Sequence, residues 1–91
     1  KKSSVQGDNL KGFKLFPNPA NESFQLSFDL TSERVEVLLY DALGRTVLQK
    51  SFQSNGLKFK ERIETPQLRA GLYFLKVVNG GNTVMEQLLI Q

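Results

Sequence analysis

Residues 65–77 read TPQLRAGLYFLKV, a polar, proline-bearing connection that runs into a strand. From Leu72 to Val78 the backbone reads as extended, and Asn79-Gly80-Gly81-Asn82 then offers a tight turn into a further strand over Val84 to Ile90. The connection before it, Thr65 to Gly71, is too long for a two-residue hairpin and suits a crossing from one sheet to another. In Greek-key sandwiches a tyrosine at this corner sends its hydroxyl back to an upstream backbone group and locks the crossing. Here Leu68 is placed to plug the end of the core. Gly71 supplies a backbone shape that other residues resist, and Tyr73 supplies the hydroxyl. A structural role for Tyr73 is favoured over a ligand contact. Tyr73→Phe is therefore expected to cost ~1 kcal/mol of stability with the fold intact, and an unchanged denaturant midpoint would refute the corner.

Outward from this stretch the apolar period is two, not 3.6. Phe24, Leu26 and Phe28 alternate with Ser23, Gln25, Ser27 and Asp29. Val35, Val37 and Leu39 point one way, and Glu36, Leu38 and Tyr40 the other, which gives a strand with a partly apolar second face. Thr46–Phe52, Leu57–Ile63 and a short Lys14–Phe16 complete seven strands, with no convincing helix. Asp41-Ala42-Leu43-Gly44 predicts a type I turn closed by a glycine at positive φ in a bulged hairpin. Asn55-Gly56 predicts a second hairpin, between the fourth and fifth strands. The pattern is an all-β, seven-stranded antiparallel immunoglobulin-like β-sandwich with Greek-key connections.

Composition narrows the function. The 91 residues carry 40% hydrophobic side chains, enough for one small core. There is no cysteine and no histidine, so no disulfide, thiol nucleophile, imidazole base or imidazole metal ligand is available. The serines have no partner base, the acidic residues show no calcium-loop or glycosidase spacing, and Gly80-Gly81 opens no helix to cradle phosphate. No catalytic, cofactor or metal residue is assigned, and the expectation is a non-enzymatic domain. A net charge of +3, with both signs interspersed, gives no nucleic-acid footprint, and no apolar run reaches the length of a membrane span.

Residues 1–12, KKSSVQGDNLKG, read as a flexible lead-in, with Val5 and Leu10 as isolated apolar residues and the domain beginning at Phe13. With no initiating methionine, the chain is expected to be the C-terminal piece of a longer protein. Pro17 and Pro19 lack amide protons, so F-P-N-P-A ends a short strand and turns the chain, with Asn18 and Asn21 bonding locally. Lys58, Lys60 and Arg62 share one face, opposite Leu57, Phe59 and Ile63. They read either as a docking stripe for an anionic partner, such as lipopolysaccharide or an acidic receptor, or as a solvated face that discourages edge pairing. Glu61 on the apolar face predicts a bulge or strand end. Leu88, Leu89 and Ile90 read as a core strand or as an apolar end open to recognition. An edge strand is also a route to weak self-association.

Three segments in order, Leu15-Phe16-Pro17-Asn18-Pro19-Ala20, Val37 to Val47 around Asp41-Ala42-Leu43-Gly44, and Leu68 to Val77, resemble the type A C-terminal sorting domain of proteins exported by the type IX secretion system of Bacteroidota. The resemblance covers about residues 13–91. It implies a sorting signal carried behind an N-terminal cargo, which passes through the periplasm and is recognised by the outer-membrane translocon. A sortase-like peptidase at the cell surface would then remove it, with attachment of the cargo to lipopolysaccharide or its release. Residues 1–12 would contain or adjoin the processed bond. The motif positions this picks out are Pro17, Asn18, Pro19, Gly44, Leu68, Gly71, Tyr73, Leu88, Leu89 and Ile90. In the family the last strand usually carries basic residues before its final apolar positions, whereas here Met85-Glu86-Gln87 stand there, which leaves backbone pairing or the apolar end to be read. The alternative is an accessory module that binds carbohydrate through Tyr40 and Phe74 or packs on a catalytic domain.

Overall fold

A computed structural model describes residues 10–91, and all seven strands lie within them. They are β1 (Lys14–Phe16), β2 (Ser23–Asp29), β3 (Arg34–Tyr40), β4 (Thr46–Gln53), β5 (Lys58–Glu64), β6 (Gly71–Asn79) and β7 (Asn82–Ile90). Strands β1-β2-β5 form one antiparallel sheet and β4-β3-β6-β7 the other. In immunoglobulin lettering these are A-B-E and C′-C-F-G, so the fourth strand lies beside the third instead of in the first sheet.

Alternation decides what faces the core. Phe24, Leu26 and Phe28 of β2, with Phe59 and Ile63 of β5, point at Val35, Val37 and Leu39 of β3 and at Leu75, Val77, Val84 and Leu88 of β6 and β7. The aromatic end of this core is continuous. Phe28 stacks on Phe59 at 4.9 Å and on Phe13 at 6.2 Å, while Phe52 of the opposite sheet meets Phe59 edge-on at 5.2 Å.

The hairpin at Asp41–Arg45 forms as the sequence predicts. The Gly44 amide donates to the Asp41 carbonyl at 2.9 Å, Gly44 has φ 86°, and the ladder slips between Leu39 and Tyr40, leaving Val47 as the extra residue. Thr65 to Ala70 carry the chain from β5 in one sheet to β6 in the other, as expected for the crossing.

Asn55-Gly56 is not a hairpin. Gly56 does turn the chain, at φ 102°, but β4 and β5 belong to different sheets. The connection is held instead to the β2–β3 crossing, with the Ser54 amide donating to the Glu33 carbonyl at 2.7 Å and the Leu30 amide to the Leu57 carbonyl at 2.9 Å. Leu57 consequently lies outside β5, exposed, and is not part of the apolar face of Phe59 and Ile63.

Glu61 makes no bulge either. The β2–β5 register runs unbroken from Ser23↔Glu64 to Asp29↔Lys58, and Glu61 pairs with fully buried Leu26 while remaining exposed itself. Two other edge strands repeat this device: Lys50 of β4 pairs with buried Val37, and Glu86 of β7 with buried Leu75. Charges set in the inward register of an edge reach water past the rim and make pairing with another chain costly.

The start of the domain also shifts. Leu10 is buried in the core, the Asp29 amide donates to the Lys11 carbonyl at 2.9 Å, and Gly12 has φ 69°. The fold therefore begins by Leu10 and not at Phe13. The rest of the lead-in assigned from sequence, residues 1–9, lies outside the described residues.

Candidate recognition surface

The motif positions picked out in the sequence collect at one pole. Gly71, Leu72 and Tyr73 pair with Ile90, Leu89 and Leu88, so the start of β6 and the end of β7 lie side by side. The 41–45 turn follows Tyr40, which pairs with Phe74 one row further in. On the other flank of β7 sits the Pro17–Ala20 segment, in which the peptide bonds before both prolines are cis.

That segment clasps the last strand. The Asn18 side chain donates from Nδ2 to the Gln87 carbonyl at 2.9 Å and accepts at Oδ1 from the Leu89 amide at 3.1 Å, as a peptide group of a neighbouring strand would. The Ala20 amide then donates to the Leu89 carbonyl at 2.7 Å, and the Gln91 amide to the Ala20 carbonyl at 2.8 Å, in a short parallel bridge. Asn18 therefore does more than bond locally. With no amide protons of their own, Pro17 and Pro19 could not complete this ladder from their main chain, and the asparagine amide takes that place. The outer edge of β7 is occupied from Gln87 to Gln91, so backbone pairing by another chain has only the Asn82–Glu86 half to use.

The corner at Tyr73 has the expected geometry. Its hydroxyl donates to the Arg69 carbonyl at 2.7 Å, the ring is buried, and Leu68 packs against the core. Gly71 has φ 154° with open space where a Cβ would stand, so its requirement is conformational and not one of room. Gly44, at the neighbouring turn, is equally open. Beside it Asp41 accepts at Oδ1 from the Leu43 and Arg45 amides, both at 2.9 Å, and at Oδ2 from Arg45 Nε at 2.7 Å. These bonds, the Arg45 amide foremost, hold the Asp41 carboxyl below its ordinary pKa against a partial desolvation.

Lys58, Lys60 and Arg62 do share the outward face of β5. Lys58 meets Asp29 at 3.3 Å, and Arg62 meets Glu64 at 3.2 Å and Ser23 Oγ at 3.1 Å. Among the described residues Lys60 has no carboxylate partner, which leaves the stripe less positive than its sequence implies.

The decisive comparison is with known families, since the model for a secretion system C-terminal sorting domain matches residues 14–91. The chain belongs to that family. This type IX sorting domain also has a curated relative, an endo-acting ulvan lyase of Formosa agariphila, 31% identical over 77 residues that make up 85% of this chain and 14% of the lyase. The sorting domain thus spans a small part of the length of that relative. Among its described residues, no cluster of acidic side chains could hold a metal, no pocket opens, and no helix is long and apolar enough to cross a membrane.

Sequence reading did not find Ala20 and Gln87 as partners in the clasp, because neither carries a distinctive side chain. It also missed Asn79, fully buried at the end of β6, whose amide is saturated. Oδ1 accepts from the Thr31 amide at 2.7 Å and the Thr31 hydroxyl at 3.0 Å, and Nδ2 donates to the Ser32 and Arg34 carbonyls, each at 2.9 Å. Asn79 holds the β2–β3 crossing at the pole opposite the motifs.

Proposed function

We propose that this domain is the folded, non-catalytic address of a longer protein, read in the periplasm by the type IX translocon. It would carry an N-terminal cargo across the outer membrane to the surface or the medium. The observation that supports this most directly is the family match over residues 14–91, in a chain whose motif segments pack together at one end of the sandwich. A matching segment that makes up 14% of a much longer relative, the ulvan lyase, fits the same arrangement.

A sortase-like peptidase would then remove the domain and attach the cargo to lipopolysaccharide or release it. The bond it takes would lie before Leu10, because Leu10 to Gly12 are tied into the core and to Asp29. Pro17, Asn18, Pro19, Gly44, Leu68, Gly71 and Tyr73 would act by holding the pole in shape, with Leu88 and Ile90 buried and Leu89 partly exposed beside them. The anionic stripe partner and weak self-association through an edge stay secondary, since Lys58 and Arg62 are paired and three of the four edge strands carry an inward-register charge.

The test is a fusion of residues 1–91 behind a periplasmic reporter protein, in a host that has this secretion system. The reporter is expected on the cell surface or in the medium, and retained in the periplasm when the host's translocon gene is deleted. A reporter that stays in the periplasm of the intact host would refute the sorting role.

A further inference from the structure

The two outer faces of the sandwich differ in kind. On the three-stranded sheet, alternation turns Ser23, Gln25, Ser27 and the β5 cations outward, as expected of a face in water, with Phe16 at the end of β1 as a lone exposed apolar side chain among them. On the four-stranded sheet the outward rows toward the motif pole are largely apolar across β3, β6 and β7, with Gln87 among them, while Arg34, Glu36 and Thr83 stand at the other end. Leu72 stands beside Leu89, and Tyr40 beside Phe74. In the next row Leu38, Lys76 and Met85 lie side by side across β3, β6 and β7. Leu72, Met85 and Leu89 are each 40–42% exposed although they sit in regular strands, so nothing among the described residues covers them. An apolar patch spread over three adjacent strands marks a contact surface.

Charge selects the occupant. The other charged side chains turned outward on this sheet are Arg34 and Glu36, which meet at 2.7 Å, and Glu36 also accepts from Ser51 Oγ at 3.0 Å. Lys76, half-buried between Leu38 and Met85, has no ion-pair partner among the described residues. Covering it would strand a cation unless the partner brings an anion to it. A second copy laid face to face across a two-fold axis would bring one Lys76 toward the other, and an anionic membrane needs a cluster of cations where this face has one.

We propose that the outer face of the four-stranded sheet, centred on Lys76, is where the secretion machinery's receptor docks, through an apolar protein surface that carries an Asp or Glu carboxylate. This rests on the sorting role proposed above. The face borders the half of the β7 edge that Asn18 and Ala20 leave open, so the receptor has main-chain groups of Thr83 and Met85 within reach of the same contact.

The reporter fusion tests it with Lys76→Glu, which sets a carboxylate against the receptor's own, and with Lys14→Glu, the same reversal on the other sheet. Export of the Lys76→Glu fusion is expected to fall by at least about tenfold, the loss of a centrally placed contact, while Lys14→Glu is exported like the unmodified fusion. Both isolated domains should melt as the unmodified one does, since the two side chains lie outside the core. A photo-crosslinking phenylalanine analogue at Met85 should form an adduct with an outer-membrane protein in exporting cells. Normal export of Lys76→Glu would overturn the docking face and leave the sorting role standing, whereas no export of the unmodified fusion would remove both. Crosslinks to lipid alone, or a concentration-dependent dimer abolished by Met85→Asp, would assign the face to a different occupant and overturn the proposal as well.

Discussion

Replacing Phe59 by alanine is expected to lower the unfolding free energy by about 4 kcal/mol, near the middle of the range for a buried phenylalanine. Phe59 comes from an edge strand yet is 1% exposed, because both sheets cover it. Its ring stacks on Phe28 of its own sheet and takes Phe52 of the other sheet edge-on. Alanine removes the transfer free energy of the ring and leaves a gap that β4 and β5 cannot close, since their connecting segment is pinned through Ser54 and Leu57. Domains of this size hold only ~5–15 kcal/mol in total, so the loss should lower the melting temperature by roughly 15–30 °C. Phe59→Leu keeps most of the volume and should cost about 1–2 kcal/mol. Urea titrations of the two variants check this, and equal small losses would mean that the aromatic end of the core is not what ties the sheets together.

The strands themselves were legible because alternation is a local property. Phe24-Gln25-Leu26-Ser27-Phe28 reports one buried face whatever its neighbours are, and Asp41 to Gly44 builds its turn from its own side chain and one glycine. Asn55-Gly56 misled for the complementary reason. The dipeptide specifies a turn, and whether the strands it joins then pair depends on what the rest of the chain offers them. Here β3 takes β4, β2 takes β5, and the turn becomes a crossing. Glu61 misled because a charge in the inward register means a bulge only in a strand covered on both sides, and β5 is an edge. Leu10 looked isolated because the core it joins is assembled from strands distant in the sequence.

The candidate surface was half legible for the same reason. Sequence order gave Pro17–Ala20, Gly71–Tyr73 and Leu88–Ile90 as separate motifs, and nothing local tells Asn18 that its hydrogen-bond partners lie 69 and 71 residues away. Once the clasp is in place, the segment that opens the sandwich and the strand that closes it form one unit. The second apolar face of β3 was visible from Leu38 and Tyr40, but only the pairing with β6 and β7 turns it into a surface with a single charge at its centre.

At the opposite pole, the largest polar effect is expected at Asn79. Its side chain is 0% exposed and makes four hydrogen bonds to Thr31, Ser32 and Arg34, while its own carbonyl accepts from the Thr31 hydroxyl at 3.2 Å. Asn79→Ala leaves two carbonyls and an amide short of partners where water reaches them poorly, and should cost about 3 kcal/mol. Asn79→Asp discriminates further. It keeps an acceptor toward Thr31 but turns the donor into a second acceptor facing the Ser32 and Arg34 carbonyls. At neutral pH its deficit should match or exceed that of alanine, since a buried carboxylate among carbonyls is penalised by desolvation and repulsion. The same terms raise the pKa of the new carboxyl in the folded state above its unfolded value, so the folded state binds the proton more tightly. Its deficit should therefore shrink as pH falls through that raised pKa, where the protonated acid can donate to one carbonyl. The reference must be the unmodified domain at the same pH, because Glu36 and Asp41, whose pKa values are lowered by their hydrogen bonds, make it lose stability in acid. A deficit in Asn79→Asp that stays flat with pH, as that of Asn79→Ala should, would mean that the two donated bonds do not hold the crossing.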